Sequence, residues 1–589
     1  MLTRSKTKPP VCLTAVSDSS YLHSEPPTVA AALASPVWFS AMQEEFHALQ
    51  QQCTWDLVSL PSHKTAIGCK WVYRIKRNSD GSVARYKARL VAKGYLQQEG
   101  VDFHETFSPV AKQPTIRIFL CLALHFQWPI HQLDISNAFL HGTLDEEVYM
   151  LQPPGFVHNS HQVCKLKKAL YGLKQAPRAW FSTFSKFLLS QGFVNSHSDS
   201  SLFVQHTKTT LIILVVYVDD ILVTGSDSSL LTKFIHHMHT VFSMKELGPV
   251  SYFLGISVQS LPHGYFLSQA KYATELLHKA GLTNCKPCST PLAVKSSLSV
   301  GDDLSFSNPS LYRSLVGGLQ YLTITRPDLA LAVNQACQHM HLLTNADFQA
   351  VKRLLRYVKG TLHHGLHFTS GPFSLHAFSD SNWAGDTVDR RSTSGYCVYL
   401  GPNLISWSAK KQSIVSRSST EAEYRALANA TAELTWLQQL LKDMHISVPS
   451  IPELWCDNLS AMALATNPVF HSRSKHIEID CHFIRDKVVA KRINLQYVPT
   501  TDQVADIFTK PLPTPRFQYL KDKLLVLPCP ISLQGADKIQ SVTDSASPQF
   551  TQSKLHQFTQ SKLSPSISHS SSLSPSICHS SSQLHQSQH

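Results

Sequence analysis

The segment at residues 211–225, LIILVVYVDDILVTG, constrains the fold of this chain more than any other. An apolar run meets two adjacent acids, Asp219 and Asp220, and then resumes. Because side chains alternate faces along a strand, only a turn at the acidic pair keeps both flanks buried. The segment therefore predicts a buried β-hairpin with two carboxylates at its tip, where a hard cation such as Mg²⁺ would balance their charge. The alternative is an Asp-Asp turn between two core strands, without a metal.

Length, charge and hydropathy limit the kinds of protein that this chain can be. Its 589 residues are 43% hydrophobic, which is enough for about three or four packed domains. The formal net charge of +13 indicates a polyanionic partner, either nucleic acid or an anionic membrane surface. The amino terminus has no hydrophobic signal region, and no apolar run approaches the roughly 20 residues that span a bilayer. We therefore expect a soluble, intracellular protein.

The cysteines favour free thiols over a metal site. They show no disulfide-framework spacing, which indicates a reducing environment. Cys285 and Cys288 form a CxxC pair, but no second pair or His pair lies nearby in the sequence to complete a tetrahedral zinc site.

A basic hairpin is predicted at residues 71–93, with turn residues at 78–81. On its return strand Arg85, Lys87 and Arg89 fall at a period of two, so all three project from one face. Such a face is suited to hold phosphates. Taken alone, the pattern is more typical of an edge strand that is kept charged to prevent pairing with another chain.

A third carboxylate in the amino-terminal half belongs with the acidic pair. Asp134 ends a short strand in IHQLDISNAF, and locally it could cap the turn that follows. If this strand lies beside the acidic hairpin, Asp134, Asp219 and Asp220 meet at one edge of a sheet. Three carboxylates there can hold two magnesium ions, which is the machinery of nucleotidyl transfer.

A separate α/β domain is predicted after residue 371. Strand patterns at 375–378, 395–400 and 404–407 form an antiparallel meander, followed by a helix from about Thr420 and another strand at 454–456. Asp380 and Asp457 lie at strand ends, and Asp506 lies on a short helix after the strand at 494–498. Asp506 alone would be read as a surface acid. Together these acids are typical of a second metal site.

Two glutamates compete for the fourth position in this second set. Glu423 falls one turn before Leu427 on the apolar stripe of the helix, whereas Glu421 is expected to point outward. A capping box fits either Ser418 with Glu421 or Thr420 with Glu423. The apolar stripe favours the first register, which leaves Glu423 free for metal binding.

These motifs together resemble a known family. YVDD resembles the YxDD box of reverse transcriptases, and the order of LDISNAFLHG, YGLKQAPRAW, LGPVSYFLGI, SDSNWAGD, RRSTSGYCVYLG, SRSSTEAEYRALA and KHIEID is similar to the polymerase and ribonuclease H region of copia-type LTR retrotransposons. The resemblance covers about residues 28–525. It implies an α+β and α/β multidomain fold, with a right-hand polymerase of fingers, palm and thumb before a ribonuclease H-like α/β domain.

The resemblance also implies domain boundaries. We expect a flexible lead-in at 1–34, fingers, palm and thumb at 35–298, a helical connection at 299–370 and the ribonuclease H-like domain at 371–525. The segment 526–589 is rich in Ser, His and Gln and repeats QFTQSKL and LSPSI(S/C)HSSS. Such a composition buries too little apolar surface to fold, so this tail is predicted to be disordered.

Residue roles follow from the same resemblance. It assigns metal binding and catalysis to two sets of acids, which are Asp134, Asp219 and Asp220 in the polymerase and Asp380, Glu423, Asp457 and Asp506 in the nuclease. Substrate contacts are assigned to Lys87 and Arg89 at the triphosphate, Phe139 against the ribose 2′ hydroxyl, Gln175 near the incoming nucleotide, and Tyr217 of the YVDD box. His476 and Glu478 are implied to be structural.

The implied activity is RNA-directed DNA polymerisation with tethered ribonuclease H cleavage. The implied cofactor is Mg²⁺, two ions per site, with Mn²⁺ as an alternative. The implied partners are an RNA template, a DNA primer, an RNA/DNA hybrid and deoxynucleoside triphosphates, and the implied place of action is a cytoplasmic particle or the nucleus. Two alternatives stay open: a silent or co-opted nucleic-acid-binding remnant, and a chain in which only the nuclease works.

Overall fold

The structure is a computed structural model that describes residues 24–77, 82–294, 303–467 and 478–530. The predicted turn at 78–81, the role of His476 and the tail beyond residue 530 lie outside the described residues. The described residues belong to one compact unit that ends at Pro530.

The first elements pack two helices on a basic hairpin. They are α1 (Val29–Ala34), α2 (Pro36–Gln51), β1 (Trp55–Ser59), β2 (Cys69–Arg77) and β3 (Val83–Ala92). Trp38 of α2 contacts Tyr73 and Tyr86 of the hairpin edge to face. Helix α1 lies in the segment that was expected to be flexible. The Thr28 hydroxyl stabilises this helix as its N-cap, because it accepts the Ala31 N–H.

A six-stranded antiparallel sheet follows, in the spatial order β11-β4-β10-β9-β8-β7. The elements of this part are α3 (Gln113–Phe126), β4 (Ile130–Ile135), β5 (Thr143–Met150), β6 (Gln162–Lys168), α4 (Ala176–Ser190), β7 (Val194–Asn195), β8 (Leu202–His206), β9 (Leu211–Tyr217), β10 (Asp220–Gly225), α5 (Ser228–Val241) and β11 (Met244–Pro249). Strands β9 and β10 confirm the predicted acidic hairpin. Strands β1, β6 and β5 form a separate three-stranded sheet.

Helices and short strands connect this sheet to the carboxyl-terminal part. They are β12 (Tyr252–Phe253), β13 (Ile256–Leu261), β14 (Gly264–Ser268), α6 (Ala270–Lys279), α7 (Pro309–Leu322), α8 (Ala330–Gln338), α9 (Asn345–Gly360) and β15 (His364–Thr369). Arg326 and Asp328 form a fully buried ion pair here, and Tyr357 of α9 donates its hydroxyl to the same carboxylate. This network fixes α9 against the segment that precedes α8.

The carboxyl-terminal part contains the predicted antiparallel meander, helix and later strand. Its elements are β16 (Leu375–Asn382), β17 (Thr393–Leu400), β18 (Asn403–Lys411), α10 (Ser419–Asp443), β19 (Glu453–Cys456), α11 (Leu459–Thr466), α12 (Glu478–Val489), β20 (Asn494–Tyr497), α13 (Thr514–Lys523) and β21 (Val526–Pro528). The sheet order is β18-β17-β16-β19-β20, with an antiparallel meander and two parallel strands. Strand β21 pairs with β15, so the first residues of the segment that was predicted to be disordered are ordered by this pairing.

The two large sheets share one apolar core. Every residue of α3 from Thr115 to Leu124 is buried, because the helix packs between the six-stranded sheet and the carboxyl-terminal part. Arg117 of α3 donates hydrogen bonds of 2.8 Å to the carbonyls of Ile405 and Ile324, and its guanidinium lies 3.9 Å from the Trp407 ring centroid. The two acid clusters are therefore built on one continuous body.

Within the described ranges no helix combines the length and apolarity needed to cross a bilayer.

Candidate active sites

The amino-terminal acid cluster consists of Asp134, Asp219 and Asp220. Asp134 on β4 lies directly opposite Asp220 on β10, and Asp220 also pairs with Tyr217 across the hairpin. Opposite residues of antiparallel strands present their side chains on the same face. The strand register therefore brings Asp134 and Asp220 together as predicted, and Asp219 directly precedes Asp220 at the end of the hairpin.

The turn at the tip of the hairpin is strained and pinned. Val218 has a φ of 59°, a left-handed conformation that is costly for a β-branched residue. The Trp180 indole N–H donates to the Val218 carbonyl at 2.7 Å, and the Ile135 N–H donates to the Asp219 carbonyl at 3.0 Å. These two bonds stabilise a turn that holds both carboxylates at the edge.

The charge of this cluster is not balanced by a paired base. Burial, and next the neighbouring acids, raise the pKa of Asp220 to about 6, and burial also raises the pKa of Asp219. No lysine or arginine among the described residues forms an ion pair with either acid or with Asp134. Carboxylates with raised pKa values and no counter-ion are suited to bind a cation.

The basic hairpin faces this cluster through an aromatic contact. The Arg89 guanidinium lies 4.4 Å from the Tyr171 ring centroid, and the Phe139 ring meets the same tyrosine edge to face at 4.8 Å. Burial is the largest influence on the pKa of Asp219 and raises it, while the positive charges of Arg89 and Lys87 oppose that rise. Burial, followed by the charge of Arg89, lowers the pKa of Lys87. The two bases are half-buried rather than fully solvated.

Gln175 is buried and its amide is already bonded. It accepts a hydrogen bond from Gln97 at 3.0 Å and donates one to the Asp102 carbonyl at 2.8 Å. The loop before it crosses β3 closely, since Gly172 has a φ of 92° and a Cβ there would lie 2.2 Å from the Ala92 carbonyl oxygen. Gln175 thus ties the loop that carries Tyr171 to the segment at 97–102, which follows the basic hairpin.

The carboxyl-terminal acid cluster consists of Asp380, Glu423, Asp457 and Asp506. Asp380 lies on β16, Glu423 on α10, Asp457 directly after β19, and Asp506 on a 3₁₀ helix at Val504–Phe508. Asp506 is 5% exposed, so it is not a surface acid. The structure thus brings together the four acids that were predicted from two strand ends and two helices.

Two acids of this cluster, Asp380 and Asp506, are paired with basic side chains of the chain itself. The Lys510 ammonium lies 3.0 Å from Asp380 and 2.8 Å from Asp506, and the Arg516 guanidinium lies 3.2 Å from Asp506. Thr509 donates a further hydrogen bond to Asp380. Burial raises the pKa of Asp380, while the nearby Lys510 lowers it.

The other half is formed by Glu423 and Asp457. The Ser381 N–H donates to Glu423 Oε1 at 3.0 Å, while Oε2 is buried and has no hydrogen-bond partner among the described residues. Burial, then Asp380 and Asp457, raise the pKa of Glu423 to about 9. A buried carboxylate oxygen without a partner is costly, and a divalent cation would satisfy it. The donor set therefore fits a metal.

The helix start gives the two glutamates different partners. Ser418 is the N-cap and accepts the Glu421 N–H, while the Glu421 carboxylate accepts the Arg417 N–H and pairs with Arg425 at 3.0 Å. The favoured register is thus confirmed. The expectation that Glu421 points outward was wrong, because the pairing with Arg425 allows its carboxylate to be 4% exposed.

Three residues at these sites were missed in the sequence. Lys510 follows Asp506 by four positions, a spacing that predicts an ion pair on a helical turn. Cys456 directly precedes Asp457, and Glu423, Cys456 and Asp457 are the set among the described residues whose potential metal-ligand atoms all lie within 4.8 Å of one another. Tyr171 carried no signal, because its contacts join segments that are distant in the sequence.

Comparisons with known proteins agree with these motifs. Residues 52–294 match the family described as reverse transcriptase (RNA-dependent DNA polymerase). The chain is 50% identical over 513 residues to the retrovirus-related Pol polyprotein from transposon RE1 of Arabidopsis thaliana, which covers 86% of this chain and 35% of that protein. It is 49% identical over 521 residues to the corresponding polyprotein from transposon RE2 of the same plant, covering 88% of this chain and 36% of that protein.

The chain thus spans about a third of the length of these two relatives. Among solved structures, a foamy viral protease-reverse transcriptase in complex with double-stranded DNA is 14% identical, covering 79% of this chain and 70% of that one. Its TM-score of 0.20 is too low to indicate a shared fold.

Proposed function

The chain belongs to the family of copia-type retrotransposon Pol proteins, and from this membership we propose that it is an RNA-directed DNA polymerase with a tethered ribonuclease H. The observation that carries the proposal is the cross-strand register of Asp134 and Asp220 beside the pinned turn at Asp219. It supports a metal site for nucleotidyl transfer that is built into a rigid sheet edge. The proposed partners are an RNA template, a DNA primer, an RNA/DNA hybrid and deoxynucleoside triphosphates.

In the proposed polymerase reaction, the primer 3′ hydroxyl gives its proton to water and its oxygen attacks the α-phosphorus of the nucleotide. A P–O bond forms there, and pyrophosphate leaves with the electrons of the broken bond between the α-phosphorus and the bridging oxygen. Asp134, Asp219 and Asp220 would hold two Mg²⁺ or Mn²⁺ ions, which supply charge stabilisation and a more acidic attacking hydroxyl. The raised pKa of Asp220 is expected in a cluster of buried acids whose negative charge a bound cation would stabilise.

The proposed nucleotide contacts lie on the basic hairpin, on a 3₁₀ helix at Ala138–His141 and on β9. Arg89 and Lys87 would bind the triphosphate, and Phe139 would exclude a ribose 2′ hydroxyl. Tyr217, the cross-strand neighbour of Asp220, would contact the substrate beside the acids. We assign Gln175 a positioning role near the nucleotide, because its amide holds the loop that carries Tyr171.

The proposed nuclease hydrolyses RNA that is paired with DNA. Asp380, Glu423, Asp457 and Asp506 would hold the divalent cations that direct water at the scissile phosphate. The partnerless Glu423 Oε2 supports this assignment. The proposed domains are fingers, palm and thumb at 35–298, a connection at 299–370 and the nuclease at 371–525.

Primer extension by the purified chain tests the polymerase proposal. A DNA primer on an RNA template is extended in Mg²⁺ by the wild-type chain, and we expect the Asp219→Asn, Asp220→Asn double variant to lose that extension. Asp227→Asn is the matched control, because Asp227 caps α5 directly after the hairpin and asparagine keeps the cap. No extension by a folded wild-type chain that still binds the hybrid would overturn the polymerase and leave a binding remnant or a lone nuclease.

A further inference from the structure

The carboxyl-terminal acid cluster divides into two halves that differ in chemistry. Asp380 and Asp506 are neutralised by the chain's own Lys510 and Arg516. Glu423 and Asp457 have no base in ion-pair contact among the described residues, and Cys456 is the third member of their group. A cation that enters the cluster is therefore drawn first to the half that contains a thiol.

We propose that Glu423, Cys456 and Asp457 form a binding site for a soft divalent cation of the Zn²⁺ or Cd²⁺ class, which would compete with Mg²⁺ at the nuclease. The proposed site shares Glu423 and Asp457 with the proposed nuclease. Only the competition with Mg²⁺ rests on that proposed function. Magnesium prefers oxygen ligands, whereas zinc and cadmium gain from a thiolate. Two carboxylates and one sulfur leave an open position for water, as in three-ligand zinc sites.

The surrounding hydrogen bonds hold these ligands for a metal. The Ser381 N–H occupies Oε1 of Glu423 and leaves Oε2, which is more than nine-tenths buried, without a partner. The Thr500 hydroxyl donates to Asp457 Oδ2 at 3.0 Å. The Asn458 N–H donates to the Cys456 sulfur at 3.4 Å. Outer contacts of this kind orient metal ligands and raise affinity.

The position in the fold adds to the argument. Cys456 ends β19 and Asp457 follows it, so the sulfur and the carboxylate come from adjacent residues. Asn458 then caps α11 by accepting the Ala461 N–H at 2.9 Å, which fixes the turn. Asp457 is partly exposed while Cys456 is buried, so a cation would enter from the side of Asp457 and meet the sulfur behind it.

Cadmium binding by the reduced full chain tests the site. Cys285 and Cys288 are first replaced by serine, so that the CxxC pair does not contribute, and CdCl₂ is titrated while thiolate-to-cadmium charge-transfer absorption is recorded. We expect a saturable band that Cys456→Ser removes and that Zn²⁺ displaces. Cys481→Ser is the matched control, because it removes another buried thiol of the same domain and should keep the band.

Glu423→Gln makes the test independent of thiol loss. It keeps every sulfur, and we expect it to weaken cadmium binding by at least about tenfold, since it removes a direct ligand. An unchanged affinity in this variant, or a band that persists in folded Cys456→Ser, would overturn the site. The band reports the metal–sulfur bond whether or not RNA is cleaved. A failure of the proposed nuclease, measured separately as Mg²⁺-dependent hybrid cleavage by the wild-type chain, is therefore a distinct result.

Discussion

The two acid clusters handle their negative charge in different ways. The amino-terminal acid cluster sits at the tip of a hairpin, partly exposed and without an ion-paired base among the described residues. In the carboxyl-terminal acid cluster Asp380 is 1% exposed and is paired with Lys510. Acids at a sheet edge can be stabilised by solvent and by cations from solution, whereas acids between a strand and a helix need a counter-ion from the chain itself.

The difference implies two modes of metal dependence. The proposed polymerase acids need only a cation from solution, and their geometry comes from hydrogen bonds to the backbone carbonyls of the turn. The proposed nuclease acids are already half neutralised, so a metal there must compete with Lys510 or displace a proton from Glu423. The predictions below test whether the two clusters behave as separate sites with these two properties.

The largest expected effect is a loss of RNA cleavage with little change in primer extension. Asp380→Asn should lower cleavage of the RNA strand in a hybrid by at least about a thousandfold, because metal stabilisation of the transition state contributes several kcal/mol. Primer extension should change by less than about twofold. Both rates are measured on one preparation. Asp389→Asn is the control, since this acid pairs with Lys411 in the same domain. A parallel loss of extension would contradict separate sites.

The second prediction concerns the internal cation. Lys510→Met leaves Asp380 and Asp506 without their lysine, and we expect the metal-free chain to lose about 2 kcal/mol of unfolding free energy. This is less than the usual cost of breaking a buried pair, because the Lys510 side chain is 34% exposed. Thermal or denaturant unfolding in EDTA measures the loss.

Magnesium should restore much of that stability, because it binds the folded state and replaces the missing positive charge. Lys442→Met, an exposed lysine of α10, is the matched control and should change little. If Lys510→Met were as stable as the wild-type chain in EDTA, the lysine would not be the counter-ion that the geometry indicates.

How far the sequence predicts these clusters depends on the range of the interactions. The apolar runs on both sides of Asp219 and Asp220 predict the hairpin, because they are a local pattern. The helical stripe likewise separates Glu423 from Glu421. The burial of Glu421 was not predicted, because it depends on where the Arg425 side chain reaches.

The contacts that were missed join segments far apart in the chain. Gln175 bonds to Gln97 and to the Asp102 carbonyl, and Arg117 ties α3 to the Ile405 carbonyl almost three hundred residues later. No periodicity encodes such pairs. The family resemblance supplied the roles of single residues but not the partners that hold them, and so the contacts of Tyr171 and Cys456 emerged only from tertiary packing. Lys510 is the exception, because its spacing of four from Asp506 is a local signal.

The third prediction uses the different pKa values of the two clusters. Metal binding must displace the proton of Glu423, whose pKa is raised to about 9, chiefly by burial. Below that pH each bound ion must displace one proton. The Mg²⁺ concentration for half-maximal RNA cleavage should therefore fall about tenfold per pH unit from about pH 7 to 9. Asp220, with a pKa of about 6, is already ionised in this range, so the requirement for extension should be flat.

The same shift has a consequence for stability without metal. Because the folded pKa of Glu423 lies above its ordinary value of 4.5, the folded state binds the proton more tightly, and stability should fall as the pH rises from about 4.5 to 9.

For the third prediction, magnesium titrations at constant ionic strength measure RNA cleavage and primer extension. Equal slopes for cleavage and extension would show that the two clusters do not differ in protonation.

The smallest expected effect lies at the contact that joins the basic hairpin to the amino-terminal acid cluster. Tyr171→Leu removes the ring under the Arg89 guanidinium and beside Phe139. A cation–π contact of this kind contributes about 0.5–1 kcal/mol, so the KM for a deoxynucleotide should rise about two- to fivefold with kcat nearly unchanged. Discrimination against ribonucleotides should weaken by a similar factor, because Phe139 loses the ring that orients it. Tyr171→Phe keeps the ring and should behave as the wild-type chain; an equal defect in this variant would assign the effect to the hydroxyl group and not to the aromatic contact.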